Sequence, residues 1–136
     1  MVHAAILRSP HGHARIRGID TSRAKNAPGV VAVFTGADTE AGLKCIPCAW
    51  LLPNAGLNIA PYRAIATDVV RYVGDAVAVV VAESDYQAYD ALDLIDVDYE
   101  PLPAVVDPQK AAAARAAPLH EEAPRNVAFH SEGQGG

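Results

Sequence analysis

Cysteine is scarce in this chain: Cys45 and Cys48 are the only two in 136 residues. Two thiols so close together make no disulfide framework, so an apolar core has to hold the fold. Long apolar runs are missing as well. None approaches the roughly 20 residues that cross a bilayer, and Arg8 and Pro10 interrupt the one early stretch that resembles a secretion signal. These absences point to a cytoplasmic protein without a membrane segment. Basic residues number 11 against 16 acids, a net charge of -5, which argues against a nucleic-acid partner. The charge is also uneven. Residues 83–100 carry seven acids and no Lys or Arg, whereas residues 1–30 carry five Lys or Arg and one acid. Two differently solvated faces account for this; a polarised docking surface is the sharper alternative. A nucleophile elbow, a phosphate loop and a dinucleotide fingerprint are all lacking.

What is present is a chain that is 51% hydrophobic and long enough for one domain with its own core. The stretch from Val69 to Pro103 organises it. Ala76 to Ala82 is an unbroken apolar run, which predicts a strand buried on both faces. Val69 to Tyr72 is a second strand-forming run. Gly74 and Asp75 between them supply the positive φ of a tight hairpin. Ser84 caps a helix, with Gln87 completing a capping box. Ala88, Ala91, Leu92 and Ile95 give that helix one apolar face, and Asp90 and Asp93 take the wet side. Ile95 to Glu100 then alternates as a half-buried strand.

Elsewhere, His3–Arg8, Ala14–Asp20 and Val30–Thr35 read as strands. Thr21 or Ser22 caps a short helical turn before Pro28-Gly29. Residues 36–66 show no period and read as a long connecting loop with one helical turn near Asp38. Asp107-Pro108 opens an alanine-rich helix over Gln109 to Ala117, and the end of the chain reads as linker. Together these predict an α+β domain with hairpins.

The runs VRYVGDAVAVVVAES and YEPLPAVVDP, with ILRSPHGHARIRGIDTSRAKNAPGVVAVFTGAD upstream, resemble the N-terminal alpha/beta hammerhead domain of molybdenum hydroxylase large subunits. That family comprises xanthine dehydrogenases, aldehyde oxidases and carbon monoxide dehydrogenases. The resemblance implies a mixed β-sheet with packed helices. It places the hammerhead domain at residues 1–117, with the long apolar loop at 36–66 inside it and a C-terminal linker at 118–136. It further implies one domain of a larger oxidoreductase, with a structural and subunit-docking role. Molybdopterin with its molybdenum, the iron–sulfur clusters and often FAD would then lie on other segments and on partner subunits. No catalytic, cofactor-binding or metal residue is expected in this chain.

The local candidates for chemistry are weak beside that reading. Cys45-Ile46-Pro47-Cys48 has redox or half-zinc spacing, but loop-like flanks and the lack of a second pair favour two packed thiols. A free-standing binding module, or a small metal protein using these thiols, are the competing readings. His11 and His13 share a turn, and only a fold that gathered His3, His120 or His130 would make them a metal site. The acids from Glu83 to Glu100 sit on helix and strand faces, not at calcium-loop spacing. Ala49 and the apolar Trp50, Leu51 and Leu52 form a cluster in an aperiodic segment. Such a patch is either a lid folded back on the domain's own core or, as preferred here, a docking surface, through which the isolated domain would self-associate.

Overall fold

Strand-forming and helix-forming stretches settle close to where their patterns place them. The computed structural model describes residues 1–40, 42–49, 56–113 and 115–130. Strands β1 (His3–Arg8) and β2 (Ala14–Asp20) come first, followed by helix α1 (Ser22–Lys25) and strand β3 (Val30–Thr35). Helix α2 (Gly36–Glu40) opens the aperiodic region, in the place where a turn near Asp38 is expected. Then come β4 (Val69–Val70), β5 (Ala76–Ala82), α3 (Asp85–Leu92), β6 (Asp96–Pro101) and α4 (Pro108–Ala111). The chain divides into two compact units: Met1–Lys44 with Arg63–Pro103, and Cys45–Tyr62 with Ala104–Gly136.

In the first unit the strands form two three-stranded sheets, β1-β5-β3 and β4-β2-β6. Every pairing between them is antiparallel. The expected hairpin across Gly74-Asp75 does not form. β4 joins β2 in one sheet while β5 sits at the centre of the other, so the turn connects two sheets. None of the six strands pairs with its neighbour in sequence.

β5 explains why two sheets share one core. The register with β1 shifts between Leu7 and Arg8, which leaves Val77 as an extra residue. A bulge of this kind re-aims a side chain. Val77 and Ala78, consecutive in sequence, are therefore both fully buried, but in different clusters. Val77 packs with Ala14, Ala66 and Val70 in the second sheet's core. Ala78 and Val80 pack with Ala24, Val33, Ala91 and Ile95 beneath the helices. Ile19 and Val97 touch both clusters. Beyond Val77, however, the strand is not buried on both faces: Val79 and Val81 are only partly covered.

α3 forms as its sequence pattern predicts. Ser84 is its N-cap, and Ser84 Oγ accepts from the Gln87 backbone N–H at 3.4 Å. The reciprocal half of the capping box differs, because Ser84 Oγ–H also donates to Gln87 Oε1 at 2.7 Å. Ala88 and Ala91 are buried, and Asp90 and Asp93 face water. At α1, Thr21 makes no side-chain cap; Asp20 Oδ1 instead accepts from the Ser22 N–H at 2.9 Å. α4 is shorter than its alanine content suggests. Asp107 caps it as expected, accepting from Gln109 and Lys110 N–H, yet none of its residues is buried. Propensity without a packed face does not sustain a long helix in water.

Two glycines are required for different reasons. Gly74 has φ +95, and a Cβ there would meet nothing within 4 Å. Gly36 lies against the Ala66 carbonyl, so a Cβ there would strike main chain. Gly74→Val is expected to cost on the order of 1–3 kcal/mol through backbone strain alone, with Gly74→Asn losing less because Asn tolerates positive φ. Gly36→Ala should destabilise by about 1–3 kcal/mol through overpacking, and no larger residue should rescue it. Urea unfolding of the set decides this; equal stability of Gly74→Val and the parent would refute the strained turn.

Candidate functional site

A network of polar contacts surrounds the Gly74-Asp75 turn in the first unit. The turn docks on the Ser9–His13 segment through main-chain bonds. Gly74 N–H donates to Ser9 O and Ser9 N–H to Asp75 O, both at 2.8 Å. Arg8 Nη1 donates to Gly74 O at 2.9 Å, and Asp75 Oδ2 accepts from Arg71 N–H at 3.0 Å. Ser9 is 2% exposed. Its hydroxyl accepts from His11 N–H at 3.0 Å and donates to His11 O at 3.2 Å. The His11 ring meets Tyr99 edge-on, with centroids 4.9 Å apart. His13 Nδ1 lies 2.8 Å from Pro103 O; a carbonyl only accepts, so this nitrogen carries the proton.

Through these contacts both histidines and the turn are engaged within the fold. His13 spends its Nδ1 proton on holding the end of β6 near β2, and Leu102 N–H donates to His13 O at 2.9 Å alongside it. Tyr99 has its phenol pKa raised, chiefly by burial, with the charge of Asp75 adding to it and a hydrogen bond with Ser9 opposing it. Among the described residues no three His, Cys, Asp or Glu side chains converge as a metal site would need. Cys45 and Cys48 are both exposed rather than packed as expected.

The outward faces of the two sheets differ in chemistry. The second sheet alternates as a solvated sheet should. Arg15, Arg17, Asp96 and Asp98 are exposed, and Glu100 lies 2.8 Å from Arg17 and 3.9 Å from Arg15. These pairs are open to water and add little stability. The middle of the first sheet's outward face is apolar: register places Ile6, Val79 and Phe34 in one row and Ala4, Val81 and Ala32 in the next, with Arg8 at the end of β1 beyond them. Sequence reasoning missed this face because it assigned the valine run of β5 to burial on both sides.

The second unit contains a hollow of about 430 Å³ lined by Leu57, Ile59, Leu119, Ala123 and Phe129 among others. Asn126 holds its wall together. With φ 54, it accepts from Leu119 N–H and donates to the carbonyls of Ala111 and Ala117. A single Asn tolerant of left-handed backbone was the only sequence signal for it. Trp50, Leu51 and Leu52, expected as a docking surface, lie outside the described residues.

Residues 1–103 match the protein family described as aldehyde oxidase and xanthine dehydrogenase, a/b hammerhead domain. The chain is 44% identical over 122 residues to the carbon monoxide dehydrogenase large chain of Afipia carboxidovorans, covering 90% of this chain and 14% of that protein. It is 45% identical over 109 residues to the nicotine 6-hydroxylase large subunit of Paenarthrobacter nicotinovorans, covering 80% and 13%. Among solved structures, quinoline 2-oxidoreductase from Pseudomonas putida 86 superposes with a TM-score of 0.78 at 41% identity, covering 85% of this chain and 14% of that one. The chain thus spans about one-seventh of the length of these relatives.

Two outcomes follow from the site. A raised phenol pKa means the fold favours neutral Tyr99, so its contribution is complete below the ordinary value of 10.0 and is lost as pH rises through the higher folded value. Stability should therefore fall in that alkaline range, and less steeply in Tyr99→Phe; parallel pH profiles for the two proteins would contradict this. Replacing Cys45 and Cys48 together by Ser should leave the melting temperature nearly unchanged, with no stoichiometric zinc in the parent. One zinc per chain by metal analysis would restore the metal-site reading.

Proposed function

Because this chain belongs to the aldehyde oxidase and xanthine dehydrogenase a/b hammerhead family, we propose that it is the structural and docking domain of a molybdenum hydroxylase large subunit. The parent enzyme would hydroxylate a heterocycle, an aldehyde or a small carbon substrate. Iron–sulfur and flavin subunits or segments would serve as its electron partners, in the cytoplasm. The observation that carries this reading is the family match over residues 1–103 together with relatives of about seven times the length. The free-standing module is the weaker reading, because the matched relatives carry this domain within a much larger chain.

Molybdopterin, which the family implies, finds no phosphate cradle at the Gly74-Asp75 turn. A phosphate-bearing cofactor is held by free main-chain amides or basic groups. Here the Gly74 amide donates to Ser9 O and the Asp75 amide to Tyr72 O, and Arg8 is held on Gly74 O. The turn is satisfied from within, so its role is to join the two sheets. No step of the reaction is assigned to this chain; the cofactor and the groups that act on substrate belong, in this reading, to the rest of the subunit. Trp50, Leu51 and Leu52 remain proposed as a docking surface on the apolarity of their sequence, self-association of the isolated domain included.

Purified alone, the chain is expected to oxidise no xanthine, nicotine or aldehyde with an artificial electron acceptor, and to contain no molybdenum by elemental analysis. Hydroxylation by this chain alone, or one molybdenum per chain, would overturn the assignment.

A further inference from the structure

Of the two sheets in the first unit, only the second has an outward face suited to water. On the first sheet, Ile6 is 42% and Phe34 43% exposed, with Val31 beside them at 60%. Val79 and Val81 lie between the flanking strands, partly covered. Six apolar side chains in two rows carry no charge between them. An antiparallel strand with one wet face alternates; β2 and β6 do so in this same chain, while β5 reads Ala-Val-Ala-Val-Val-Val-Ala. The composition of β5 is that of a strand covered twice. One cover is present, because α3 and α1 pack on Ala78 and Val80. No described element of the first unit forms the other.

Size decides what the missing cover is. Three strands about 4.8 Å apart and two residue pairs deep present on the order of 200 Å². A specific association between independent proteins needs about 800 Å² from each partner. The patch is therefore too small to hold a second copy or a free protein by itself. A segment tethered to the same polypeptide escapes this limit, because tethering raises its effective concentration into the millimolar range without new contacts. The width across the three strands, about 10 Å between outer strand axes, also matches the roughly 10 Å diameter of one helix.

We propose that the outward face of β1, β5 and β3 is the seat for a single apolar-faced helix from the remainder of the same large-subunit polypeptide. Val79 lies at the centre of that seat, with Ile6 and Phe34 flanking it. The proposal rests on the large-subunit reading above. It adds that the domain's core is completed by the parent chain: the sheet is two layers among the described residues of the first unit and three layers in the full subunit.

Thiol accessibility tests it. In a Cys45→Ser, Cys48→Ser background, Phe34→Cys is placed on the proposed seat and Tyr86→Cys, at a position 85% exposed, on the solvent side of α3. Each variant is made as the 136-residue chain and again in place of the equivalent domain of the Paenarthrobacter nicotine 6-hydroxylase large subunit. Maleimide labelling at the two positions is followed by peptide mass spectrometry. The expected result is that the labelling rate at position 34 relative to position 86 falls tenfold or more in the full subunit. An unchanged ratio in a full subunit that retains molybdenum would overturn the proposal and leave the large-subunit reading standing. Failure of the chimera to assemble or take up molybdenum would count against the large-subunit reading, and the proposal with it. Sedimentation gives a second arm. If the 136-residue chain is a dimer that Phe34→Lys dissociates, a second copy occupies the seat and the proposal is wrong.

Discussion

Burial along β5 is the constraint on which the first unit depends. Val77, Ala78, Val80 and Ala82 are all fully buried, yet a plain strand would send consecutive residues to opposite faces. The bulge opposite Leu7 and Arg8 resolves this by giving Val77 to one cluster and Ala78 to the other. β1 and β3 take their places by pairing with this strand, α3 by covering its inner face, and the second sheet by meeting Val77. Without the bulge, β5 would no longer reach both clusters, and only Ile19 and Val97 would bridge them.

The turn at Gly74-Asp75 gains its importance from the same arrangement. It passes the chain from the second sheet to the first within a few residues, and its main-chain bonds to Ser9 fasten the segment that passes from β1 to β2. Two crossings between the sheets are thereby locked to each other. His11, Tyr99 and the Ser9 hydroxyl pack around this junction and act as its fasteners. A polar cluster whose donors and acceptors are matched within the protein rigidifies the place where it sits.

Much of the first unit was legible in sequence, for reasons that can be named. The strands carry β-branched residues at the right period, and α3 announces itself through Ser84 and the spacing of Ala88, Ala91 and Leu92. Partner choice was not legible. Gly74-Asp75 satisfies the local chemistry of a hairpin, but a turn of positive φ does not say whether its flanks rejoin, and here tertiary packing sent them to separate sheets. Periodicity likewise described β5 as a whole without revealing that its outer side is only partly covered. Around the site, the identities of Gly74 and Asp75 were readable, whereas their bonds to Ser9 span more than sixty positions and leave no local trace. The family resemblance was carried by these same core and turn residues, which is why it speaks to architecture and says little about substrate.

The order in which the strands find one another has a consequence for synthesis. β1 ends at Arg8 but pairs with β5, whose last residue is Ala82; β2 ends at Asp20 but needs β6, which closes at Pro101. A ribosome adding about 5–20 residues per second therefore leaves β1 without its partner for roughly 4–15 s. During that interval Ala5, Ile6 and Leu7 hang from the nascent chain with both strand edges open. Contacts this distant in sequence also incur their loop-closure entropy before they return any stabilisation. β1 is thus the strand that waits longest for its first partner, and its residues are the ones most in need of shelter while the rest is made.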